Sequence, residues 1–430
     1  MIRPTGIHAY TSATPPTSTV ASSPMTAPGT PADSLGSSVP APTIEGARAA
    51  SILFQKRGAS QIENRWSVSG SNWGSPVIDS KGSIYASLRY PESVVSLAPS
   101  NGDPRWTAKI SPTSHLLLAP DEKLLLVTAK DGRLHALDPA SGTEAWSVEA
   151  NGWPQVGADG HVYVPGQGNL SRIDLRNHCV AETTPLEHEF ESAPAVGPDG
   201  TIYGGGKDGN LYALEPGTAR VKWTCQTGGM LRNSPVVGPD GTVYAGCIGK
   251  AIVAVDPRDG SEKWRTSTPQ WIIPEPAIGP DGTVYVGCSD NKVYALDPSN
   301  GTPLWSFEAD GEIRVTPVPA RDGVVYVVSD RNRIYGVDQR NGNKLWSTPA
   351  ASYVHCPPAV DHHGGLVVGV NDSKIYAFRD NETARRVDAE EAQRDAIEAG
   401  TAAEPPPAVE QQDGWIVIGG VRVPVNGAPH

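Results

Sequence analysis

Residues 295–305 read ALDPSNGTPLW, and this stretch recurs along the chain with few changes. It reads ALDPASGTEAW at 136–146, ALEPGTARVKW at 213–223, AVDPRDGSEKW at 254–264 and GVDQRNGNKLW at 336–346, with a weaker copy, SLAPSNGDPRW, at 96–106. The tryptophans that close these copies are 40, 77, 41, 41 and 41 residues apart. Since 77 is nearly twice 40, one copy has lost its tryptophan, around SRIDLRNHCVAE at 171–182. A period of about 40 residues indicates a repeat architecture.

Each period has the same internal pattern, which is clearest in residues 274–307. Short runs rich in Val, Ile, Tyr and Ala alternate with Asp-Gly and Asp-Pro-x-x-Gly clusters, which supply the positive φ angles and side-chain caps of tight turns. Four strands joined by three such turns form an up-and-down sheet. Such sheets repeated at this period are typical of β-propeller blades.

Alignment on the Pro-Asp-Gly turn predicts eight blades, which start near Pro76, Leu116, Pro154, Pro194, Pro235, Pro276, Pro317 and Pro358. The last copy ends before its fourth strand. The missing strand lies at the other end of the propeller, where Trp66 precedes Trp106 by 40 residues. We therefore predict an all-β, eight-bladed β-propeller whose last blade is completed by an N-terminal strand, since an open ring would leave a sheet edge unpaired.

The A-x-D-x-x-x-G-x-x-x-W pattern resembles the tryptophan-docking motif of pyrroloquinoline-quinone (PQQ) repeat propellers. That family includes quinoprotein dehydrogenases and a lipoprotein of bacterial outer-membrane protein assembly. The resemblance covers about 65–380. It implies that the repeated tryptophans pack between neighbouring blades, a structural role that suits an indole with one N–H to satisfy. These residues are Trp66, Trp106, Trp146, Trp223, Trp264, Trp305 and Trp346.

The regions outside the repeats differ in composition. Residues 1–60 are rich in Ser, Thr and Pro and are expected to be disordered, and 61–380 form the propeller. Residues 381–412 predict an acidic helix or linker, and 413–430 predict a hairpin with a Gly-Gly turn.

No cleavable signal peptide and no transmembrane segment are recognised. We therefore expect a cytoplasmic protein or one exported by a signal-peptide-independent route. The N-terminal composition resembles the uncleaved signals of bacterial type III effectors, and a tail without a role explains it equally well.

The net charge of −12 lies largely in residues 380–413, which carry ten acidic and three basic side chains. The propeller therefore offers no basic surface for nucleic acid. The five cysteines include no adjacent pair and no C-x-x-C. Cys247 and Cys288 occupy equivalent positions in neighbouring blades, where small buried side chains are favoured over a metal site or disulfide.

Catalysis is not supported by the sequence. Quinone-dependent relatives use calcium ligands, a catalytic aspartate and in several cases a vicinal disulfide, and this chain has no adjacent cysteines. His362 and His363 lie in a turn, where a role as turn residues is favoured over a metal site. No nucleophile elbow, phosphate loop or zinc spacing is present. We expect no catalytic residue, no metal and no cofactor.

The informative positions are those that vary while the scaffold repeats. One such position lies three residues before the aligned proline of each blade, and most blades have a polar or bulky side chain there. Propeller geometry would bring these side chains into a ring around the channel mouth. Convergent polar groups in a concavity are typical of a ligand site, although a solvated rim gives the same pattern. The predicted ring residues are Trp73, Asn151, Glu191, Arg232, Arg314 and His355, with Thr113 and Ile273 between them.

Neighbouring loops add aromatic candidates for an interface, Trp153, Trp271 and Tyr353, with Phe190 beside them. Aromatic residues and arginine are the usual anchors of protein interfaces. The sequence thus predicts a non-catalytic binding propeller for a protein or an anionic ligand, and its own acidic residues 388–413 are one such ligand. A quinone-dependent oxidoreductase and an outer-membrane assembly scaffold remain the alternatives.

Overall fold

The protein is described by a computed structural model in two compact units, Met1–Ala384 and Arg385–His430. The residues described are 63–69, 74–89, 91–157, 159–166, 168–186, 190, 192–218, 220–354, 356–361, 364–370 and 374–379, and three short strands between 409 and 424. Several predictions fall outside them: the N-terminal tail before residue 63, the helix at 382–400 and the His362-His363 turn. Throughout the described part every regular element is a strand.

Thirty-two strands of the first unit form eight four-stranded antiparallel sheets. The innermost strands are β2 (Val77–Ile78), β6 (Leu117–Leu118), β10 (Gln155–Val156), β14 (Ala195–Val196), β18 (Val236–Val237), β22 (Ala277–Ile278), β26 (Val318–Pro319) and β30 (Ala359–Val360). The second strands are β3 (Ile84–Arg89), β7 (Leu125–Thr128), β11 (Val162–Pro165), β15 (Ile202–Gly205), β19 (Val243–Cys247), β23 (Val284–Gly287), β27 (Val324–Ser329) and β31 (Leu366–Val370).

The third strands are β4 (Glu92–Leu97), β8 (Arg133–Leu137), β12 (Asn169–Asp174), β16 (Asn210–Leu214), β20 (Ala251–Val255), β24 (Lys292–Leu296), β28 (Arg333–Asp338) and β32 (Lys374–Arg379). The outer strands are β5 (Pro104–Ala108), β9 (Glu144–Glu149), β13 (Cys179–Pro185), β17 (Val221–Gln226), β21 (Glu262–Ser267), β25 (Pro303–Glu308), β29 (Lys344–Pro349) and, for the last blade, β1 (Glu63–Ser69). Each innermost strand begins one residue after the position predicted for its blade, so the eight-bladed propeller is confirmed.

The turns follow the chemistry of the repeated motifs. In the Pro-Asp-Gly turn of the sixth blade the Asp281 carboxylate accepts hydrogen bonds from the Thr283 backbone N–H at 3.1 Å and from its hydroxyl at 2.9 Å, while Gly282 takes a φ of +85°. In the Asp-Pro-x-x-Gly turn Gly301 has a φ of +71°. A Cβ atom on Gly301 would lie 2.4 Å from Trp264 Cε3. This position therefore requires glycine for its conformation and for the indole above it.

The tryptophans link each blade to the next in sequence. Trp264 Nε1 donates to the Pro298 carbonyl at 2.8 Å, and Trp305 Nε1 donates to the equivalent Gln339 carbonyl at 2.9 Å. Each of these indoles also packs against a tyrosine of its own blade's second strand, with ring centroids 5.7 Å apart for Tyr244–Trp264 and Tyr285–Trp305. One side chain thus joins the core of its own blade to the turn of its neighbour.

The ring closes as the sequence predicts. β1 pairs with β32 in the last sheet, and Trp66 on β1 donates Nε1–H to the Pro99 carbonyl of the first blade at 2.9 Å. Arg379 at the end of β32 donates to the same carbonyl and pairs with Asp361 at 3.3 Å, and both of these side chains are almost fully buried. A buried ion pair therefore supports the junction at which the two ends of the propeller meet.

Four of the five cysteines, Cys225, Cys247, Cys288 and Cys356, are buried, and Cys179 is exposed; none forms a disulfide. Cys247 and Cys288 contact backbone carbonyls of the preceding loops, those of Thr227 and Gln270. They fill space in the sheets, as expected. Among the described residues no helix is long and apolar enough to span a membrane.

The second unit contains a three-stranded antiparallel sheet, β33 (Val409–Gln412), β34 (Trp415–Ile418) and β35 (Val421–Pro424). The sequence analysis predicted only the last two strands and placed residues 409–412 in the acidic linker. The sequence signal for this strand was the Asp413-Gly414 dipeptide that follows it, a pair of residues common in hairpin turns.

Replacing Arg379 with Ala should lower the free energy of unfolding by about 3–5 kcal/mol, because it removes the guanidinium that neutralises the buried Asp361 carboxylate. Urea denaturation of the purified protein measures this. Arg220, which pairs with Glu215 on the surface at 2.5 Å, is the matched control, and Arg220→Ala should cost far less than Arg379→Ala. Equal losses for the two variants would show that the buried pair does not support closure.

Candidate functional site

The candidate site lies on one face of the propeller, which we call the mouth face. It consists of the loops that precede the innermost strands and the hairpins between second and third strands. Backbone hydrogen bonds join the two sets: Ile248 N–H donates to the Met230 carbonyl at 3.0 Å, and Asp330 N–H donates to the Glu312 carbonyl at 2.9 Å. The loops are therefore held by the sheets.

The described members of the predicted ring are exposed, but they differ in their partners. Arg314 donates Nε–H to Glu312 Oε2 at 3.0 Å, which raises the pKa of the guanidinium. Arg232 has no carboxylate partner among the described residues, and Asn151 is exposed. The structure gives no contact between Arg232 and Arg314, so their convergence on one ligand stays a prediction. Trp73, Glu191 and His355 lie outside the described residues.

The three aromatic candidates also differ. Trp153 is half-buried and packs edge-on against His115, with ring centroids 4.8 Å apart, and Tyr353 is half-buried. Trp271 is 50% exposed. The other exposed large apolar side chains of the described residues, Val221 and Leu304, lie on outer strands. Among the described residues, Trp271 is therefore the exposed large apolar side chain of the mouth face.

The loop that carries Trp271 is fixed at several points. Ser289 N–H donates to the Trp271 carbonyl at 3.0 Å, and the Thr268 hydroxyl donates to the Gln270 carbonyl at 2.8 Å. Thr268 N–H in turn donates to Lys250 O at 2.8 Å. An exposed indole on a tethered backbone loses little conformational entropy on binding, which favours an interface anchor.

Beneath the mouth face, buried polar side chains connect the innermost strands of neighbouring blades. Ser75 donates to the Pro357 carbonyl at 2.7 Å, and Asn233 Nδ2 donates to the Pro274 carbonyl at 3.0 Å. His115 Nε2 contacts the Pro154 carbonyl at 3.0 Å, and burial lowers the pKa of its imidazole to about 4. The imidazole is therefore neutral near pH 7 and donates from Nε2.

Glu275 is the functional candidate that the sequence analysis missed. It directly precedes the sixth innermost strand and is only 3% exposed. Burial raises the pKa of its carboxyl to about 7, and hydrogen bonds from the Ser234 side chain and backbone partly offset this effect. The equivalent position, the residue before the aligned proline, holds an uncharged residue or the neutral His115 in every other blade. The single acid at this position was the signal available in the sequence.

The described residues do not fit a calcium-held quinone. Calcium requires six to eight oxygen ligands, usually with several carboxylates. Among the described residues no three His, Cys, Asp or Glu side chains lie close enough to share a metal ion. Of the acids on this face, Glu275 accepts hydrogen bonds from Ser234 and Glu312 forms an ion pair with Arg314.

Residues 48–148, 131–270 and 249–420 match the sequence profile of the family described as outer membrane protein assembly factor BamB. The chain belongs to this family. The matches span the whole propeller and confirm the resemblance to PQQ-repeat proteins. No curated protein matches the chain significantly.

Two solved structures illustrate the range of proteins with this fold. BamB from Moraxella catarrhalis is 17% identical with a TM-score of 0.56, over 74% of this chain and 99% of the other. The quinohemoprotein alcohol dehydrogenase from Comamonas testosteroni is 14% identical with a TM-score of 0.56, over 75% of this chain and 77% of the other. Because one belongs to an assembly-factor family and the other is a dehydrogenase, these similarities establish the fold and not the activity.

The pKa of Glu275 predicts a pH dependence of stability. A carboxyl whose pKa rises from 4.5 to about 7 on folding stabilises the protein fully below pH 4.5, and this stabilisation is lost as pH rises through 7. The glutamine of Glu275→Gln stays neutral at every pH. This variant should therefore lack the loss of roughly 3 kcal/mol in unfolding free energy that the wild type shows between pH 4.5 and 7.5. Denaturation across this range measures it. Glu312→Gln, which alters a partly exposed acid of the same face, should keep the wild-type slope; a wild-type slope in Glu275→Gln would contradict the assignment.

Proposed function

We propose that this protein is a non-catalytic scaffold that binds another protein through the mouth face. The observation that carries this proposal is Trp271, a half-exposed indole on a loop tethered by hydrogen bonds to Ser289 and Thr268. Membership of a family described as an assembly factor agrees with a binding role.

The surroundings of Trp271 favour a protein partner. Ile273 and Met230 are half-buried, and Arg232 in the neighbouring loop is exposed. An aromatic anchor with partly exposed aliphatic side chains and an arginine has the composition of an interface centre.

The charges of the face favour an acidic segment in that partner. Arg232 has no carboxylate partner among the described residues, whereas Arg314 is engaged by Glu312 at 3.0 Å. Arg232 is thus the better candidate for a carboxylate of the partner, because a guanidinium binds carboxylates through two parallel hydrogen bonds. The chain's own acidic residues 388–413 fit this chemistry, and we include self-occupancy in the proposal.

Trp271→Ala should weaken capture of the partner by at least about tenfold, as expected for loss of a central interface anchor. The measurement is quantitative affinity capture with the full-length protein as bait, followed by mass spectrometry. Leu304→Ala removes a similarly exposed apolar side chain, 55% exposed, from an outer strand, and it should leave capture unchanged. Partners that bind both variants equally would exclude the mouth face.

Self-occupancy has a separate test with a synthetic peptide of residues 388–413. Titration calorimetry against the protein truncated after residue 384, the end of the first compact unit, should show binding that Arg232→Ala weakens about tenfold. Arg340→Ala lies in a turn between third and outer strands, away from the mouth face, and should bind like wild type. Absence of peptide binding would restrict the proposal to an external partner.

The second candidate is a quinone-dependent oxidoreductase, because a quinohemoprotein alcohol dehydrogenase is among the proteins that share this fold. It predicts tight binding of PQQ in the presence of Ca²⁺ and reduction of an electron-accepting dye with an alcohol substrate. A protein that binds no PQQ and reduces no dye is not an enzyme of this type.

A further inference from the structure

The junctions between blades are not equivalent, and the exceptions cluster at the third blade, β10 to β13. Five junctions have a Trp Nε1–H donated to the next blade at 2.8–3.0 Å. The donors are Trp66, Trp106, Trp223, Trp264 and Trp305. We call this arrangement the indole latch. The acceptor turn for Trp346 lies outside the described residues, so the seventh junction is not compared.

The junction between the second and third blades has an incomplete latch. Trp146 is present, but its Nε1 is buried with no hydrogen-bond partner among the described residues. Its indole stacks on His178, with centroids 5.2 Å apart and planes 13° apart. His178 occupies the turn position that holds glycine at the five complete latches, and its φ is +56°. This junction thus combines an unsatisfied donor on the second blade with a residue in the left-handed region on the third, and both raise the energy of the folded junction.

The junction between the third and fourth blades lacks the indole. In the fourth and fifth blades, which have complete latches, the tryptophan of the outer strand pairs with an alanine of the third strand, as Trp264 pairs with Ala254. In the third blade the residue equivalent to this alanine is Arg172, and it pairs with Glu182. Glu182 therefore occupies the position of the tryptophan. Its carboxylate lies 3.3 Å from Arg172 Nε of its own blade, and both side chains are about one-third exposed. Hydrogen bonds still cross this junction: Gly217 N–H donates to the Thr184 hydroxyl at 2.7 Å, and Gln155 Nε2–H of the third blade donates to the Pro194 carbonyl of the fourth.

The exchange of Trp for Glu removes the indole from the apolar contact at this junction, where Tyr163 and Leu170 of the third blade still pack with core residues of the fourth. A buried indole covers roughly 150–250 Å² of surface, whereas a partly exposed ion pair contributes little to stability. Tyr163 retains the position of the tyrosines that pack on the latches, and it donates to Asp159 at 2.7 Å as Tyr85 beside Trp106 donates to Asp79. Unlike Tyr85, it has no indole beside it among the described residues. In a repeat protein each unit is stabilised mainly by its neighbours. A blade with two weak junctions is therefore less stable than one with two complete latches.

We propose that the propeller ring opens locally at the third blade, which separates from its neighbours before any of the five latched junctions breaks. Among the junctions compared, the two sides of the third blade are then the place where the ring deforms. This local opening does not require that the mouth face binds a partner.

Hydrogen exchange of the full-length protein, followed by mass spectrometry, tests the proposal, because amide protection reports the free energy of local opening. Protection factors in β12 (Asn169–Asp174) should be at least about tenfold lower than in β20 (Ala251–Val255) and β24 (Lys292–Leu296), the third strands on the two sides of the complete Trp264 latch. Equal protection of the three strands would overturn the proposal.

Two variants test the cause. Trp264→Glu reproduces the Glu182 defect between the fifth and sixth blades and should lower protection in β20 and β24 about tenfold; unchanged protection there would show that the latch does not control opening. Glu182→Trp restores an indole at this junction, next to Gly217, and should raise protection in β12 by a similar factor. If this variant does not fold, the wild-type comparison and Trp264→Glu still decide the question.

Discussion

The structure depends on a hydrogen bond from a tryptophan indole to a carbonyl group of the next blade. A four-stranded sheet of this size cannot bury both of its faces by itself, so each blade is stable only against its neighbours. The indole meets this requirement with one side chain, because its ring fills the space between blades while its N–H satisfies a turn carbonyl, as in Trp264 to Pro298 at 2.8 Å. The glycine below it leaves room for the ring, and the tyrosine beside it fixes the ring's position.

Ring closure uses the same interaction together with a stronger electrostatic one. Trp66 reaches the first blade from a strand that is distant in sequence from the rest of its sheet. The buried Asp361–Arg379 pair directs a second donor to the same Pro99 carbonyl. Both charges belong to the last blade, and each would be costly to bury without the other. The pair therefore holds Arg379 where it can donate across the junction to the first blade.

The loops of the mouth face are held in place by the sheets below them. They are short and hydrogen-bonded to neighbouring hairpins, which holds Trp271 outward and keeps Arg314 beside Glu312. The buried polar groups under this face, among them Asn233 and Glu275, connect blades across the channel side of the ring. A change of protonation at Glu275 therefore affects the fifth and sixth blades together, close to the loops that carry Arg232 and Trp271.

The sequence by itself determined the architecture, because the repeat is encoded in local chemistry. The aspartates and glycines specify the turns, the alternating apolar residues specify the strands, and the 40-residue spacing of Trp66 from Trp106 indicates closure. The third strand at Val409–Gln412 was missed because a polar four-residue strand carries almost no periodic signal. The tertiary structure alone decided which arginine is engaged, which aromatic is exposed, that Glu275 is buried, and that Glu182 replaces an indole. The burial of Glu275 depends on a contact with Ser234 of the neighbouring blade, and the engagement of Arg314 depends on how its own loop folds beside Glu312. A sequence pattern records the type of each residue but not the distance to its partner across a junction.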